Sequence, residues 1–254
     1  MPTSDNPIAK PQPLSTDALE AYWTMADAIA QTTHYMVTLF DTYSKKHLYI
    51  SKKRDLRLNG FNEIIMQQDF EWHINRFLDE ERTKLRVAHK SLKPILAHID
   101  SEERKQLTMV QNHHYLLPNN RKVLVYKRIS TITFNSDGTP RIVMALFSLS
   151  QQQDGLFWML NNPMRKEYHT YNFADKQWEK HAYEQLTDNE IHMIMLSRQG
   201  HGIGNIATIM NKSTDTVKGY RKAVFDKLNV TNIQSAIVRI LDYKLFEYQS
   251  NSGE

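Results

Sequence analysis

Apolar and polar residues alternate in two stretches of the first 150 residues, as they do along half-buried β-strands. The stretch HYMVTLFDTYSKKHLYIS holds two β-rich runs around the polar turn DTYSKK, which predicts a hairpin. Further on, KVLVYKRISTITF and RIVMALFSL flank NSDGTP, which predicts a second hairpin. A strand-turn-strand pattern also fits residues 102–128.

Helical periodicity appears before the first hairpin and between the two. One helix is predicted near TDALEAYWTMADAIAQ. A second helical region is predicted from about residue 69 to residue 105, where five apolar residues recur at near-helical spacing: Phe70, Ile74, Phe77, Leu78 and Leu85. The order of strands, helices and strands predicts an α+β domain, with an antiparallel sheet and helices to one side.

From Leu186 onward the pattern is entirely helical, with breaks at QGHG, NKS and NVTN. Thr187 and Glu190 have the spacing of a capping box, and Gly200 is a plausible C-cap of the same helix. Its apolar face is predicted to be Ile191, Ile194 and Met195. The short second helix IGNIATIM is expected to turn Ile203, Ile206, Ala207 and Met210 inward.

The third C-terminal helix combines an apolar face with a basic one. Ser213 can cap it through its hydroxyl. Four residues are predicted to share the buried face: Val217, Tyr220, Val224 and Leu228. Lys218, Arg221 and Lys222 fall on the other side. Between Lys212 and Lys227 there are two acids, Asp215 and Asp226, against five basic residues: Lys212, Lys218, Arg221, Lys222 and Lys227.

A short helix, a tight turn and a second helix with a basic outer face are typical of a helix-turn-helix. The second helix enters the major groove of DNA, and its Lys and Arg residues neutralise phosphates. Charge alone leaves a second interpretation open, because solvated amphipathic helices often carry basic faces.

The segment from Leu186 to about Leu245 resembles a LuxR-type helix-turn-helix domain. The matching positions are Leu186, Thr187, Glu190, Gly200, Ile206, Ala207, Ser213, Thr216, Val217, Lys218, Lys227 and Leu228. The resemblance implies an all-α four-helix domain whose third helix reads duplex DNA and whose fourth, about residues 232–246, mediates dimerisation.

Specific site residues follow from this resemblance and from the helix pattern. The DNA-binding residues are predicted to be Lys212, Ser213, Thr214, Asp215, Thr216, Val217, Lys218, Arg221, Lys222 and Lys227. The dimerisation residues are predicted to be Ile233, Ala236, Ile237, Ile240 and Leu241. The alternative for this last stripe is packing against the core of its own domain.

The sequence departs from the family pattern at several positions. Asn189 and Lys212 replace a commonly basic and a commonly apolar residue, and Tyr220 replaces a common histidine. Gly202 and Gly204 occupy the start of the second helix, where each glycine would weaken the helix by roughly 1 kcal/mol relative to alanine. These departures favour weaker DNA binding, or an alternative in which the chain is a protein-interaction module with a degenerate helix-turn-helix.

Residues 18 to 150 resemble a PAS domain, carried by YMVTLFDTYSKKHLYIS, the helix start LRLNGFNE and the last strands around NSDGTPRIVMALFSLS. PAS domains bind a small molecule between sheet and helices, or pair with each other. Six aromatic residues are candidates to line a pocket: Tyr22, Trp23, Tyr35, Trp72, Tyr115 and Tyr126.

A haem or flavin sensor is a further alternative. The candidates for an axial ligand of haem are His73, His89, His98, His113 and His114. His113 and His114 are adjacent in a strand and would point to opposite faces.

The expected organisation is a disordered tail at 1–17, a PAS-like sensor at 18–150, a linker with a small hairpin at 151–184 and the helix-turn-helix domain at 185–250. The chain of 254 residues and 29.8 kDa has room for these domains. Its formal net charge of +4 is too modest to indicate nucleic acid without local clustering.

Composition excludes several classes of site. The chain has no cysteine, which excludes disulfides, thiolate metal sites and a flavin–cysteine adduct. No catalytic or metal-binding motif is present, so no enzyme activity, metal or resident cofactor is expected, although an unidentified ligand in the PAS-like pocket is compatible with the sequence. No signal peptide or membrane helix is predicted, which favours a cytoplasmic protein. The expected partners are double-stranded DNA, a second copy of the chain and RNA polymerase.

Overall fold

The structure is a computed structural model that describes residues 14–33, 35–51, 75–117, 120–150 and 155–243. The chain divides into two compact units. The first comprises Met1–Met164 and His169–Glu179, and the second comprises Arg165–Tyr168 and Lys180–Glu254. No helix within the described ranges is both long and apolar enough to span a membrane.

Helix α1 (Thr16–Thr32) begins the described part of the first unit, and Ser15 caps it by accepting a hydrogen bond from the Ala18 N–H. The tail predicted at 1–17 therefore overlaps this helix by two residues, and residues 1–13 lie outside the described ranges. The other elements of the unit are β1 (Met36–Asp41), β2 (Lys46–Ile50), α2 (Asp79–Ala97), α3 (Ser101–Gln106), β3 (Thr108–Leu116), β4 (Lys122–Phe134), β5 (Pro140–Leu149) and β6 (Phe157–Asn162).

The predicted antiparallel sheet is confirmed, and it is larger than expected. Its strand order is β2-β1-β5-β4-β3-β6-β7-β8, where β7 is Glu167–Asn172 and β8 is Gln177–Ala182. Both predicted hairpins form, as β1–β2 and β4–β5. Gly138, at φ +76°, closes the second of them in the left-handed region that glycine favours.

Residues 151–184 were expected to be a linker with one small hairpin, and the hairpin is present as β7–β8. The linker interpretation was otherwise wrong, because β6 pairs with β3 and extends the sheet. The strand is short and mostly buried, so it lacks the polar–apolar alternation that reveals a half-buried strand.

Helices lie on both faces of the sheet, which corrects the expectation of helices to one side. On one face, Ala26 and Ala30 of α1 pack against Val37 and Leu39 of β1. On the other face, α2 packs against β6 and the β7–β8 hairpin through two clusters: Leu85, Ala88, Trp158 and Tyr171, and Leu92, Ile99, Leu107 and Leu160.

The predicted helical region at 69–105 was too long, since Phe77 forms a β-bridge with Tyr115 and α2 begins at Asp79. Phe70, Ile74 and LRLNGFNE lie outside the described residues.

The second unit contains the four predicted helices: α4 (Asp188–Arg198), α5 (Ile203–Ile209), α6 (Thr214–Leu228) and α7 (Ile233–Tyr243). Its core is formed by residues from all four: Met193, Ile194, Leu196, Ile206, Ala207, Val217, Val224, Leu228, Ala236 and Ile240. The predicted face of α4 was partly wrong, because Met195 is exposed while Met193 and Leu196 are buried.

Helices α4, α5 and α6 each end in a residue with left-handed backbone. After α4, the His201 N–H bonds to the Leu196 carbonyl and the Gly200 N–H to the Ser197 carbonyl, which is a Schellman motif with Gly200 at φ +92°. Asn211 and Asn229 take the same left-handed position after α5 and α6. Three sharp helix ends thus set the directions in which the chain enters α5, α6 and α7.

Candidate DNA-binding surface and ligand cavity

Helix α6 begins where the sequence predicts it. The Ser213 hydroxyl accepts a hydrogen bond of 3.1 Å from the Thr216 N–H, so the cap that the sequence indicated is present. The turn before it runs through Asn211, whose left-handed backbone lets the chain reverse between α5 and α6. Helix α6 is held by contacts with α4, α5 and α7. Its buried side is therefore fixed, and its other side faces solvent.

The residues predicted to bind DNA separate into three groups by exposure. Eight of them are exposed: Lys212, Ser213, Thr214, Asp215, Thr216, Lys218, Arg221 and Lys222. Val217 is fully buried. Lys227 is half-buried. The exposed set forms one continuous surface from the turn through the first half of α6, which we call the basic face.

Two cations of the basic face have only weak local partners. The Lys218 ammonium lies 2.9 Å from an Asp215 carboxylate oxygen one helical turn earlier, and both side chains are largely exposed. The Arg221 guanidinium lies 5.7 Å from the centre of the Phe225 ring. An exposed ion pair of this kind contributes little to stability, so either cation can exchange its partner for a phosphate at small cost.

Lys227 is engaged within its own domain. Its ammonium donates to both Glu190 carboxylate oxygens, at 3.0 and 2.8 Å, and to the Gln185 carbonyl at 3.0 Å. Glu190 also accepts a hydrogen bond of 2.7 Å from the Thr187 N–H, which completes the predicted capping box. The Glu190–Lys227 pair therefore ties the start of α4 to the end of α6. This geometry favours a positioning role for Lys227 over the predicted contact with DNA.

The contact with Lys227 changes the pKa of Glu190. Burial alone would raise the pKa of this carboxyl, but hydrogen bonds from Lys227 and from the Thr187 N–H outweigh burial and lower the pKa below its ordinary value of 4.5. A carboxyl whose pKa is lowered by folding stabilises the folded state above the pKa of the unfolded chain. That stabilisation is lost as the pH falls through the lower, folded value.

We expect Glu190→Gln to lower the free energy of unfolding of the C-terminal domain by about 1 kcal/mol at neutral pH, since glutamine keeps the capping geometry but loses the charge that faces Lys227. The difference between wild type and variant shrinks as the pH drops below 4.5. Urea unfolding at a series of pH values measures both effects. Asp215→Asn, in the exposed pair with Lys218, is the control and leaves the unfolding curve unchanged. If the free energies of unfolding of Glu190→Gln and of the wild type differ by the same amount at every pH, the prediction is contradicted.

The residues predicted to mediate dimerisation do not share one environment. Ala236 and Ile240 are fully buried in the core of their own domain, as the alternative interpretation of the stripe proposed. Ile233 and Ile237 are half-buried, and Leu241 is 39% exposed. The part of α7 that remains accessible is therefore narrower than the predicted stripe.

The first unit contains a cavity of about 1630 Å³ on the sheet face that carries α2. Its floor consists of inward residues of β1, β3, β4 and β5, and α2 forms a wall through Leu85, His89 and Leu96. Of the six aromatic residues proposed as pocket lining, Tyr115 lines the cavity and Trp72 lies outside the described residues. Tyr22, a residue of α1, instead packs against the cluster on the opposite face of the sheet.

The most unusual lining residue is Lys127, which the sequence interpretation did not single out. It occupies the centre of β4, directly between Gln111 of β3 and Phe147 of β5. Its ammonium lies 5.0 Å from the centre of the Phe147 ring. Burial lowers the pKa of Lys127 to about 8. The signal was present in the sequence, because Lys127 interrupts the inward series Val123, Val125 and Ile129.

The two adjacent histidines of β3 point to opposite faces, as predicted. His113 lines the cavity, and burial, with smaller contributions from Lys127 and His114, lowers its pKa to about 3, which keeps the ring neutral. The His114 ring instead contacts the Glu81 carboxylate at 2.5 Å, and the His114 N–H donates to the same carboxylate. Within the described ranges, no cluster of three or more His, Asp or Glu side chains could hold a metal ion. His73 lies outside those ranges.

Comparison with known proteins finds one family match in the C-terminal region. Residues 184–240 match the family model of bacterial regulatory proteins of the luxR family. A search of curated protein sequences returned no match.

Similar solved structures include three that cover between 48% and 91% of this chain. "VqmA bound to DPO" has a TM-score of 0.31 and 12% identity, covering 88% of this chain and 86% of that one. A Vibrio cholerae VqmA dimer without target DNA has a TM-score of 0.30 and 11% identity, with coverages of 91% and 88%. A sensory box histidine kinase/response regulator from Burkholderia thailandensis has a TM-score of 0.34 and 12% identity, with coverages of 48% and 81%.

Proposed function

We propose that this chain, whose residues 184–240 form a LuxR-type helix-turn-helix domain, is a transcriptional regulator that binds duplex DNA through the basic face of α6. The observation that carries the proposal is the exposure of Lys218, Arg221 and Lys222 on a helix whose opposite side is fixed in the domain core. A basic helix face that is rigidly presented to solvent has the shape and charge that enter a major groove.

Different residues of the basic face would contact the bases and the phosphates. The N-terminal residues Thr214, Asp215 and Thr216 would lie nearest the base edges, where hydroxyl and carboxylate groups read donor and acceptor patterns. The cations further along would contact phosphates, which fix the register of the helix on the duplex. Val217 would hold the helix in place from within the core.

The remaining partners of the regulator follow from its expected mode of action. The accessible part of α7, with Leu241 at its centre, is the proposed dimer contact, and a dimer would place two α6 helices on two half-sites. RNA polymerase is a proposed further partner, and the cytoplasm is the proposed compartment. The chain would act by binding and would catalyse no reaction.

We propose that the PAS-like domain senses a small molecule in its sheet cavity. A cavity of about 1630 Å³ has room for a molecule of drug-like size, and its apolar floor with few polar groups is typical of a ligand site. The floor belongs to the five-stranded part of the sheet, and α2 closes one side of it. A resident haem is not favoured, because His113 lies on the sheet floor with its neighbour His114 turned to the opposite face.

The alternative function, a protein-interaction module, was favoured by Gly202 and Gly204. The structure weakens that argument, since Gly202 is the N-cap of α5 and lies outside the helix, at a position where glycine is well tolerated. Only Gly204 lies within α5. The second helix is therefore less weakened than two helical glycines would make it.

A gel-shift titration of the purified protein against fragments of its own genome tests DNA binding. We expect selected fragments to shift, and the logarithm of the binding constant to fall linearly with the logarithm of the salt concentration, since each phosphate contact releases counterions. A protein that shifts no fragment even at about 50 mM salt, while remaining folded and dimeric, would falsify the regulator assignment in favour of the interaction module.

A further inference from the structure

Lys127 lies at the centre of the cavity floor. The strand register places Gln111, Lys127 and Phe147 in one row across β3, β4 and β5. The next inward residues of β4 on either side are Val125 and Ile129, so the ammonium rises from an apolar surface. Phe147 lies beside it as a flat aromatic wall, with the ammonium 5.0 Å from the ring centre.

Lys127 has no anionic partner among the described residues. The only carboxylate in the described lining is that of Asp137, which is exposed at the β4–β5 turn and accepts hydrogen bonds from Thr139. Three buried carboxylates of the first unit are held elsewhere: Asp41 by Arg141, Glu81 by His114, and Glu103 by a hydrogen bond from Asn162. Lys127 is half-buried in a mostly apolar cavity, where an ammonium without a counter-ion is unfavourable, and an anion within hydrogen-bond distance would stabilise it.

The described lining also contains six further basic residues: Arg82, Arg86, Lys90, Lys93, Arg104 and Arg141. Arg82 and Arg141 are paired with Asp79 and Asp41, and the others still leave an excess of positive charge around the cavity. Three histidines also line the cavity: His47, His89 and His113. The pKa values of His89 and His113 are lowered, chiefly through burial and then through the Lys127 charge, and a neutral imidazole is no counter-ion for an ammonium. Walls that carry one sign of charge concentrate small ions of the opposite sign.

We propose that the ligand of this cavity is a small organic carboxylate with a flat, apolar body. The carboxylate would accept hydrogen bonds from the Lys127 ammonium and from the Gln111 amide beside it, and the body would lie against Phe147. This inference rests on the proposed sensing function and names the chemical class of what is sensed. The ligand completes an ion pair whose cation the protein already supplies.

The test uses calorimetric titration of the full-length protein with matched acids and amides: benzoate and phenylacetate against benzamide and phenylacetamide. We expect at least one acid to bind about tenfold or more tightly than its amide, because the charge-assisted bond to Lys127 is absent in the amide. Lys127→Met should lose this preference while keeping the fold, since methionine suits an apolar floor. Lys93→Met, a cavity cation on α2, is the matched control and should retain the preference.

The acidity of Lys127 adds a second readout. Affinity for the acid should weaken as the pH rises through about 8 toward 10, where the ammonium deprotonates, and Lys127→Met should show no such dependence. The other ionisable or charged groups that line the cavity are the same in wild type and in Lys127→Met: Arg82, Arg86, His89, Lys90 and Lys93 of α2, Arg104 of α3, His113 and Tyr115 of β3, Arg141 of β5, His47 of β2, and Tyr43 and Asp137 in turns. A pH dependence that survives in Lys127→Met would therefore assign the effect to another group.

Two outcomes overturn the proposal in distinguishable ways. If the amides bind as tightly as the acids, the cavity senses a ligand but the carboxylate class is wrong. If none of the four compounds binds at millimolar concentration, the carboxylate class fails as well, and the wider proposal of ligand sensing is then tested separately with compounds of other chemical classes. Binding of DNA, measured separately by gel shift, is unaffected by either result.

Discussion

Replacing Lys218 and Arg221 together by alanine should abolish the gel shift that the wild-type protein gives with its target fragments. Both side chains are exposed on the basic face, and neither is committed to a partner that would have to be given up at large cost. Contacts of this kind contribute about 1–3 kcal/mol each to binding when they reach a base edge, and each phosphate contact adds about 0.9 to the salt slope. Losing both should therefore weaken binding by on the order of 10²-fold or more. The slope of the logarithm of the binding constant against the logarithm of the salt concentration should become shallower by the amount that two phosphate contacts contribute.

The control is a double variant with the same change in net charge away from α6. Lys46→Ala with Lys122→Ala removes two exposed lysines from the N-terminal domain, and it should leave both affinity and salt slope close to those of the wild type. Equal losses in the two double variants would mean that overall charge, and not the basic face, drives binding. Thermal unfolding of both variants shows whether the domain remains intact.

The C-terminal domain was largely predictable because its signals are local. The capping box of Thr187 and Glu190, the Ser213 cap and the left-handed Gly200 each depend on residues within five positions of one another, and all three are present. What the pattern missed are contacts between helices. The pairing of Lys227 with Glu190 joins positions 37 residues apart, and no periodicity within one helix reveals it.

The N-terminal domain was predictable as a set of hairpins, which are local, but its full sheet was not. Strand β6 pairs with β3 across some 50 positions of chain, and the position of α2 against β6 depends on that pairing. Lys127 was overlooked for a related reason. A lysine in a strand is ordinarily predicted to face solvent. Only the position of the strand in the sheet shows that Lys127 lies on the same face as Val125 and Ile129 and lines the cavity with them.

The face of α4 that packs into the core can be tested with two methionines of the same helix. Periodicity assigned Met195 to the core, whereas the structure buries Met193 to 1% exposure and leaves Met195 36% exposed. The two residues are two positions apart and therefore point to nearly opposite sides of the helix. The ambiguity arose because apolar residues run without a break from Met193 to Leu196, so several helical faces fit the pattern equally well.

We expect Met193→Ala to lower the free energy of unfolding of the C-terminal domain by about 2–5 kcal/mol, through lost burial and the cavity that remains. Met195→Ala should change it by less than about 0.5 kcal/mol, because the side chain already meets water and alanine favours the helix. Chemical denaturation of both variants measures the difference. Since Met193 packs in the same core that holds Val217 and Val224, its loss should also weaken DNA binding at temperatures where the wild type is still folded, although Met193 cannot touch a duplex. Equal destabilisation by the two substitutions would place α4 in a different rotation, and the basic face of α6 would then rest on a different core.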